Sequence, residues 1–199
     1  MRPEDSTRQL ILATTNPGKV REVRLAFGDL PGWSVEALPP GLAEIEETGT
    51  TFLENATLKA IHYSGLTPGF ALADDSGLCV KALNDRPGVW TTRYGATPEA
   101  RNQRVLQELA ELRGTPQRNA AFHCAFVLAR NGRIVWSREA ELQGQIVDEA
   151  VGEFGFGFDP IFFVPELRKT LAQMTSEEKN RISPRGKLLL ELRRYLILP

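Results

Sequence analysis

The stretch Phe70-Ala71-Leu72-Ala73-Asp74-Asp75-Ser76-Gly77-Leu78-Cys79-Val80 places two adjacent acids between two apolar runs. Short apolar runs of this kind are typical of strands in the middle of a sheet. The four residues between them are common in turns, so the pattern predicts a strand that ends at Asp74 and an extended run that resumes at Leu78. Carboxylates are rarely enclosed unless they are paired or bind a metal ion. A solvated turn and a metal-binding pair therefore both remain open at this position.

Helices and strands are predicted on both sides of this stretch. Apolar runs predict strands at 10–13, 121–129, 134–142 and 161–164, with a hairpin turn at Asn131-Gly132. Apolar spacing predicts a helix after Lys19 and one running to Gly114, and capping signals predict helix starts at Thr51, Thr97-Pro98, Thr175 and Ser183-Pro184. This intermixed order predicts a mixed α/β fold with a long central sheet. We expect a single domain over 10–199, after a disordered tail at 1–9.

Composition excludes several classes of function. The 199 residues include 24 basic and 25 acidic side chains, so no excess charge favours a nucleic-acid backbone or an acidic membrane. Cys79 and Cys124 lie inside apolar runs, which predicts buried thiols and no disulfide framework. The polar residues at 1–8 lack the apolar core of a signal peptide, and no stretch approaches the roughly 20 apolar residues of a membrane span. These features predict a cytoplasmic protein.

A first candidate site is Thr14-Thr15-Asn16-Pro17-Gly18-Lys19, between an apolar strand and a helix start. Unpaired backbone N–H groups and the helix dipole favour an anion at such a junction. Gly18 allows close backbone approach, and Lys19 adds a point charge. The segment is shorter than the Walker pattern, so a plain turn with a surface lysine is the alternative interpretation.

Two acidic pairs form a second candidate site, Glu46-Glu47 and Asp74-Asp75. Mg²⁺ in proteins takes one or two carboxylates and completes its shell with water and phosphate oxygens. One acid from each pair would meet that requirement. Solvated turns remain the alternative, most of all for Glu46-Glu47.

An aromatic segment and two basic groups near the C-terminus complete the candidates. Phe154-Gly155-Phe156-Gly157-Phe158-Asp159-Pro160 alternates rings with glycine, which weakens a strand but lets a ring face a flat base. Arg185 lies in a first helical turn, where the dipole disfavours a cation, so a ligand would explain its position. Lys179 precedes it, and Lys59 follows Asn55 by one helical turn. A core strand edge and solvated cations are the alternatives.

Together these candidates supply what triphosphate hydrolysis needs, namely a phosphate cradle, metal carboxylates, cations and a platform for a base. Their order and spacing also resemble one family, the non-canonical purine nucleoside triphosphate pyrophosphatases, or inosine triphosphate and dITP/XTP pyrophosphatases. The similar blocks are Ala-Thr-x-Asn-x-Gly-Lys at 13–19, Glu-Glu-Thr-Gly at 46–49, Asn55-Ala56 with Lys59-Ala60, Ala-Asp-Asp-Ser-Gly at 73–77, Arg93-Tyr94, Phe-Gly-Phe-Asp-Pro at 156–160, and Glu-Glu-Lys at 177–179 with Arg185-Gly186.

The resemblance implies an elongated α/β fold with two lobes around a nucleotide-binding cleft, a homodimer, and Mg²⁺-dependent release of pyrophosphate from ITP, dITP or XTP. It implies that Asp75 is the catalytic proton acceptor and that Glu47 and Asp75 bind the metal. The implied nucleotide-binding residues are Thr14, Thr15, Asn16, Pro17, Gly18, Lys19, Lys59, Ser76, Phe156, Gly157, Phe158, Asp159, Lys179, Pro184 and Arg185.

Two positions depart from the family pattern. Phe158 stands where the family usually has Tyr or Trp, which keeps a ring for stacking but removes a polar group. Pro184 replaces a histidine, so a base contact from an imidazole is absent, although proline suits the first turn of a helix.

Other interpretations are a Maf-type pyrophosphatase of modified nucleotides and a catalytically silent nucleotide-binding module. An aspartyl-phosphate phosphatase lacks support because Ser76, not an acid, stands two residues after Asp74.

Overall fold

The protein is described by a computed structural model over residues 7–115 and 117–197. Its strands are β1 (Arg8–Leu12), β2 (Trp33–Ala37), β3 (Phe70–Val80), β4 (Arg86–Pro87), β5 (Asn119–Arg130), β6 (Arg133–Ile146), β7 (Phe162–Val164) and β8 (Lys169–Thr170). Its α-helices are α1 (Pro17–Phe27), α2 (Phe52–Leu66), α3 (Pro98–Glu108), α4 (Ser176–Ile182) and α5 (Pro184–Ile197). Residues 1–6 of the predicted tail lie outside the described residues. Arg8 and Gln9, which the prediction also placed in the tail, belong to β1.

The described strands form one sheet in the order β2-β1-β3-β5-β6-β7-β8, with β4 paired to β3. β1 runs parallel to both β2 and β3, whereas β3–β4, β6–β7 and β7–β8 are antiparallel pairs. The sheet is therefore mixed and is flanked by helices, which confirms the predicted mixed α/β class. β5 and β6 are neighbours, and the residues between them, Asn131 and Gly132, have φ values of 51° and 72°. Two successive positive φ values suit a tight hairpin turn, as the sequence predicts.

β3 corrects the prediction of a turn at Asp74-Asp75-Ser76-Gly77, because the strand continues without a break from Phe70 to Val80. Both acids are buried inside it. Turn-forming residues can occupy a strand interior when their polar groups have partners, and each of these carboxylates has an ammonium partner described below. The local propensity of Asp for turns is overridden by these tertiary contacts.

The helix starts follow the predicted caps. Thr51 with Glu54 and Thr175 with Glu178 form capping boxes at α2 and α4. Thr97 caps α3, where proline takes the first helical position. The predicted continuation of α3 to Gly114 is wrong, because the α-helix ends at Glu108 and a 3₁₀ turn follows over Ala110–Leu112.

The chain divides into two compact units, each with a core of its own. Among the described residues, the first contains 7–75, 125–139 and 188–197, and the second contains 76–115, 117–124 and 140–187. One core cluster of the first unit consists mostly of small residues, and its members are Ala13, Ala56, Ala60, Tyr63, Ala71, Ala73, Ala125, Val127 and Ala129. Larger residues such as Phe27, Leu72 and Phe126 are also buried in this unit. The core cluster of the second unit includes Leu78, Val105, Leu109, Phe158, Ile161, Phe162 and Leu171. The expectation of a single domain stays a prediction.

Cys79 and Cys124 are free and buried, which confirms the thiols predicted from their apolar surroundings. Burial raises the pKa of the Cys79 thiol to about 11. None of the helices within the described residues is both long enough and apolar enough to cross a membrane.

Candidate active site

Asp74 and Asp75 lie side by side in β3 but have different ammonium partners in the first unit. Lys19 Nζ is 2.9 Å from Asp74 Oδ2, and Lys59 Nζ is 3.7 Å from Asp75 Oδ1. The Asp74 charge also acts to raise the pKa of Lys59, and the Lys19 charge acts to lower that of Asp75, so both ammonium groups act on both carboxylates. The pair predicted from sequence thus consists of two buried carboxylates beside the same two lysines.

Lys59 connects Asp75 with Glu47, the two residues for which the sequence predicts metal binding. Its Nζ donates to Glu47 Oε1 at 2.7 Å and lies 3.7 Å from Asp75 Oδ1. Burial alone would lower the pKa of the ammonium, but the carboxylates of Asp75, Asp74 and Glu47 together raise it above its usual value. One cationic group thus contacts both carboxylates, so Glu47 and Asp75 are near enough to share a single cation.

Asp75 is also held by Asn55, whose Nδ2 donates to Asp75 Oδ2 at 3.2 Å. Burial raises the pKa of the Asp75 carboxyl, and the nearby Glu47 charge adds to this effect. The Lys59 and Lys19 ammonium groups and the Asn55 hydrogen bond act in the opposite direction, but the pKa remains raised. A carboxyl group with a raised pKa is better suited to accept a proton than an ordinary surface aspartate.

The donors around Lys59 fit a hard divalent cation with few protein ligands. Within 7–115 and 117–197, no group of three or more His, Cys, Asp or Glu side chains is placed to hold a metal ion. Sites that rely on several protein ligands, such as structural zinc sites, do not match this arrangement. Two carboxylates do match Mg²⁺, which fills its remaining positions with water and substrate phosphate. Glu47 and Asp75 are therefore a chemically suitable pair.

The segment from Thr14 to Lys19 forms the predicted strand–turn–helix junction, but its backbone is already engaged. Asn16 caps α1, and its Oδ1 accepts from the N–H groups of Gly18 and Lys19 at 2.9 and 3.3 Å. This corrects the expectation of unpaired N–H groups at the helix start, because the cap residue satisfies them. The side chain of Lys19 points to Asp74, and Thr15, Asn16 and Pro17 are exposed.

The second unit gathers Phe156, Asp159 and Lys179. Lys179 Nζ donates to Asp159 Oδ2 at 2.6 Å and lies 4.4 Å from the centre of the Phe156 ring. The same Asp159 oxygen accepts from the Phe156 backbone N–H at 2.8 Å. Both charged side chains are almost fully buried, with an exposed fraction of 9% for Lys179 and 4% for Asp159. The Asp159 carboxylate therefore holds both the backbone at Phe156 and the Lys179 ammonium, which lies over the Phe156 ring.

Arg185 joins this group from the start of α5. Its Nη2 donates to Ser76 Oγ at 2.8 Å, and its Cζ lies 5.7 Å from the centre of the Phe156 ring. Arg185 is buried, although a solvated arginine is the commoner case in a first helical turn. The structure thus brings Ser76, Phe156, Asp159, Lys179 and Arg185 into one cluster, and their binding of a nucleotide stays a prediction.

Two predicted nucleotide-binding residues have other surroundings. Phe158 is 3% exposed and belongs to the core of the second unit, which corrects the expectation of a ring available for stacking. Phe156 is the half-buried ring beside the two cations. Pro184 is buried at the first position of α5, where the fold tolerates it as predicted.

Two buried asparagines have no role predicted from the sequence, although Asn55 belongs to one of the blocks that resemble the family. Asn55 contacts Asp75, and Asn102 Nδ2 donates to the Gly157 carbonyl at 3.1 Å, within the loop that carries Phe156. For Asn55 a signal existed, because it lies one helical turn before Lys59 and faces the same side of α2. Asn102 is separated from its partner by 55 positions, so only the folded chain shows the contact.

The mixed α/β sheet carries two carboxylates around one ammonium in the first unit and an aromatic ring near two cations in the second, which are side-chain types that nucleotide-hydrolysing enzymes use. The Ham1 family model matches residues 10–195, and the chain belongs to the Ham1 family.

Individual relatives agree with this membership. A dITP/XTP pyrophosphatase from Gloeobacter violaceus is 47% identical over 185 residues, which cover 93% of this chain and 92% of that protein. One from Lactococcus lactis is 44% identical over 191 residues, with 93% and 94% covered. The solved structure of a HAM1 protein from Coxiella burnetii has a TM-score of 0.84 and 39% identity, covering 95% of this chain and 98% of that one.

Proposed function

We propose that this chain hydrolyses the non-standard purine nucleoside triphosphates ITP, dITP and XTP to the monophosphate and pyrophosphate. The observation that carries the proposal is the Lys59 ammonium in contact with both Glu47 and Asp75, since it places two acids around one cation. The names of the curated relatives, dITP/XTP pyrophosphatases, support the choice of substrate.

In this proposal Glu47 and Asp75 would hold Mg²⁺, which would supply Lewis acidity to the phosphate and to the attacking water. The donor chemistry supports this assignment, because both groups are carboxylates and the Asp75 carboxyl is fixed by Asn55.

Asp75 accepts the proton of the attacking water. The water oxygen forms a bond to the α-phosphorus as the bond from that phosphorus to the pyrophosphate oxygen breaks, and the proton passes to the Asp75 carboxylate. Burial of Asp75 and its raised pKa support this role. A covalent intermediate is not needed.

Lys19, Lys59 and Lys179 neutralise the charge that grows on the leaving oxygens. Lys19 and Lys59 already lie against acids, so their ammonium groups are held in place before a nucleotide arrives. Thr14 and Thr15 contribute polar contacts at the start of α1, and Gly18 lets the phosphate approach the backbone closely. Asn16 supports this turn by capping the helix rather than by leaving amides open.

The base is read by Phe156 and its neighbours. The Phe156 ring offers a face for stacking, and Ser76 fixes one nitrogen of the Arg185 guanidinium. Hypoxanthine and xanthine carry a carbonyl oxygen at position 6, which a donor such as Arg185 can meet. Adenine carries an amino group there, which would oppose the same donor, and such a mismatch can discriminate strongly.

Two further expectations belong to the proposal. We infer a homodimer from the family resemblance and a cytoplasmic site of action from the sequence features described above. Neither enters the mechanism, which uses residues of one chain.

Pyrophosphate release from dITP, XTP, GTP and ATP, with and without Mg²⁺, tests the proposal. We expect turnover of dITP and XTP that requires the metal, and much slower turnover of ATP. We expect Asp75→Asn to lower kcat by about 10²–10⁴-fold, the range for loss of a general base. Asp85→Asn is the matched control, because Asp85 is exposed and pairs with Lys81.

Near-normal turnover by Asp75→Asn would remove Asp75 from the mechanism. Equal rates on all four nucleotides would remove the proposed recognition of the base edge.

A further inference from the structure

Asn55 lies at the start of α2 and has an exposed fraction of only 1%. Its two polar atoms have different partners in the first unit. Nδ2 donates to Asp75 Oδ2 at 3.2 Å, and Oδ1 accepts from the Gly49 backbone N–H at 2.8 Å. Gly49 is two residues after Glu47. A single amide group therefore connects the strand that carries Asp75 with the segment that carries Glu47.

We propose that Asn55 is a positioning residue that sets the separation of the Glu47 and Asp75 carboxylates, so that both can contact one divalent cation. The inference rests on the proposed function in that it takes these two acids as the metal pair. Asn55 acts through these two acids, by its contacts with Asp75 and Gly49.

The segment before α2 is anchored at successive residues. Glu54 Oε2 accepts from the N–H groups of Thr50 and Thr51 at 2.7 and 3.2 Å, and Asn55 accepts from Gly49. Three consecutive backbone N–H groups thus end on two adjacent side chains of α2. Of these two side chains, Asn55 is the one that also hydrogen-bonds Asp75 in β3. A change in the position of the segment therefore affects Asp75 through Asn55.

Gly49 shows how closely the backbone approaches Asn55. A Cβ atom built on Gly49 would lie 2.6 Å from Asn55 Oδ1 and 2.7 Å from Glu54 Cβ. Both distances are shorter than real Cβ contacts, so a side chain at this position would push the segment away from α2. Changes at Gly49 and at Asn55 therefore perturb the same connection from opposite sides.

An amide suits this position because it donates and accepts from one planar group. Aspartate could accept from Gly49 but would place negative charge against Asp75, and an apolar side chain would do neither. Lys59, one turn further along α2, contacts both acids directly. Asn55 and Lys59 thus divide two tasks on one helix face, since Asn55 fixes the geometry and Lys59 balances the charge.

The test compares Asn55→Ala and Gly49→Ala with the wild-type chain. Mn²⁺ binding is titrated without nucleotide by electron paramagnetic resonance, and the Mg²⁺ concentration for half-maximal turnover is measured separately. Loss of a residue that orients metal ligands typically weakens metal affinity or activity by about 10–100-fold. We expect both variants to raise the two metal midpoints by at least about tenfold. Hydrogen exchange of peptides containing Gly49 should become faster in Asn55→Ala.

Asn102→Ala is the matched control, because Asn102 is also a buried asparagine whose amide donates to a distant group. Its partner is the Gly157 carbonyl in the second unit, so its loss should leave the Mn²⁺ midpoint, which is measured without nucleotide, at the wild-type value. Equal shifts in Asn55→Ala and Asn102→Ala would overturn the inference, because the effect would then be general destabilisation. Unchanged midpoints in both Asn55→Ala and Gly49→Ala would overturn it as well.

These results are distinguishable from failure of the proposed function. A wild-type chain that binds Mn²⁺ but releases no pyrophosphate from any tested nucleotide would refute the proposed function. Weaker Mn²⁺ binding by Asn55→Ala in that chain would still support the positioning role. Normal turnover with metal midpoints unmoved by either variant would refute the positioning role alone.

Discussion

Replacing Lys59 with methionine removes an ammonium that contacts both Glu47 and Asp75 while keeping a long, flexible side chain. The side-chain exposures of Lys59 and Asp75 are each 11%, so solvent can replace little of the lost interaction at these two groups. Glu47 is more accessible, at 34%. We therefore expect two carboxylates to remain close together, one of them poorly solvated.

The size of the effect follows from these contacts. At an effective dielectric constant of about 20, unit charges at the two observed separations, 2.7 and 3.7 Å, attract by roughly 6 and 4 kcal/mol. Desolvation of the charged groups offsets much of this attraction. Removing one partner of a buried pair usually costs about 3–5 kcal/mol, and the exposure of Glu47 places this case near the lower end. We predict that Lys59→Met lowers the free energy of unfolding by about 3 kcal/mol without metal.

The assay is urea unfolding with and without Mg²⁺, monitored by circular dichroism. A divalent ion can neutralise the two acids that Lys59 no longer contacts, so Mg²⁺ should stabilise Lys59→Met more than it stabilises the wild-type chain. A tenfold tighter apparent affinity corresponds to about 1.4 kcal/mol of additional stabilisation at saturating metal. Lys81→Met is the matched control, because the Lys81–Asp85 pair is exposed, and its loss should not measurably change stability.

Two results would refute this reasoning. One is a loss of stability in Lys59→Met no greater than in Lys81→Met. The other is equal stabilisation of Lys59→Met and the wild-type chain by Mg²⁺, which would mean that the ammonium and the metal do not interact with the same acids.

Two further predictions concern the cluster in the second unit. Phe156→Leu removes the ring beside Lys179 and Arg185, and we expect it to raise KM for dITP about 10–100-fold with kcat little changed. This increase corresponds to the loss of roughly 1–3 kcal/mol of stacking. Steady-state kinetics measures both constants, and a fall in kcat at constant KM would contradict the prediction. Asp159→Ala removes the carboxylate that lies 2.6 Å from the buried Lys179 ammonium, and it should lower the free energy of unfolding by about 3 kcal/mol. Urea unfolding measures this loss, and an unchanged unfolding midpoint would contradict the prediction.

Local sequence signals determined much of the secondary structure. The capping boxes at Thr51–Glu54 and Thr175–Glu178 form as predicted, because each joins residues three positions apart whose geometry any helix start reproduces. The Asn131-Gly132 hairpin follows for the same reason, since it needs only two residues that accept positive φ. Signals of this kind do not depend on the rest of the chain.

Where the sequence interpretation failed, a distant contact had decided the outcome. The turn expected at Asp74-Asp75 is part of a strand, because Lys19 and Lys59 provide partners that allow the acids to be buried. Phe158 was expected to stack on a base, yet its ring packs in the core of the second unit. Alternating aromatic and glycine residues do not indicate which ring faces inward.

The sequence by itself determined the mixed α/β class, the helix starts and the residue types available for phosphate, metal and base chemistry, because these depend on local patterns and on ordered motifs. Only the tertiary structure decided that Glu47 and Asp75 meet at one ammonium and that Asn55 joins their segments. Asn55 and Asp75 are 20 positions apart along the chain, so no local preference can set the distance between them. That distance follows from how α2 packs against the sheet.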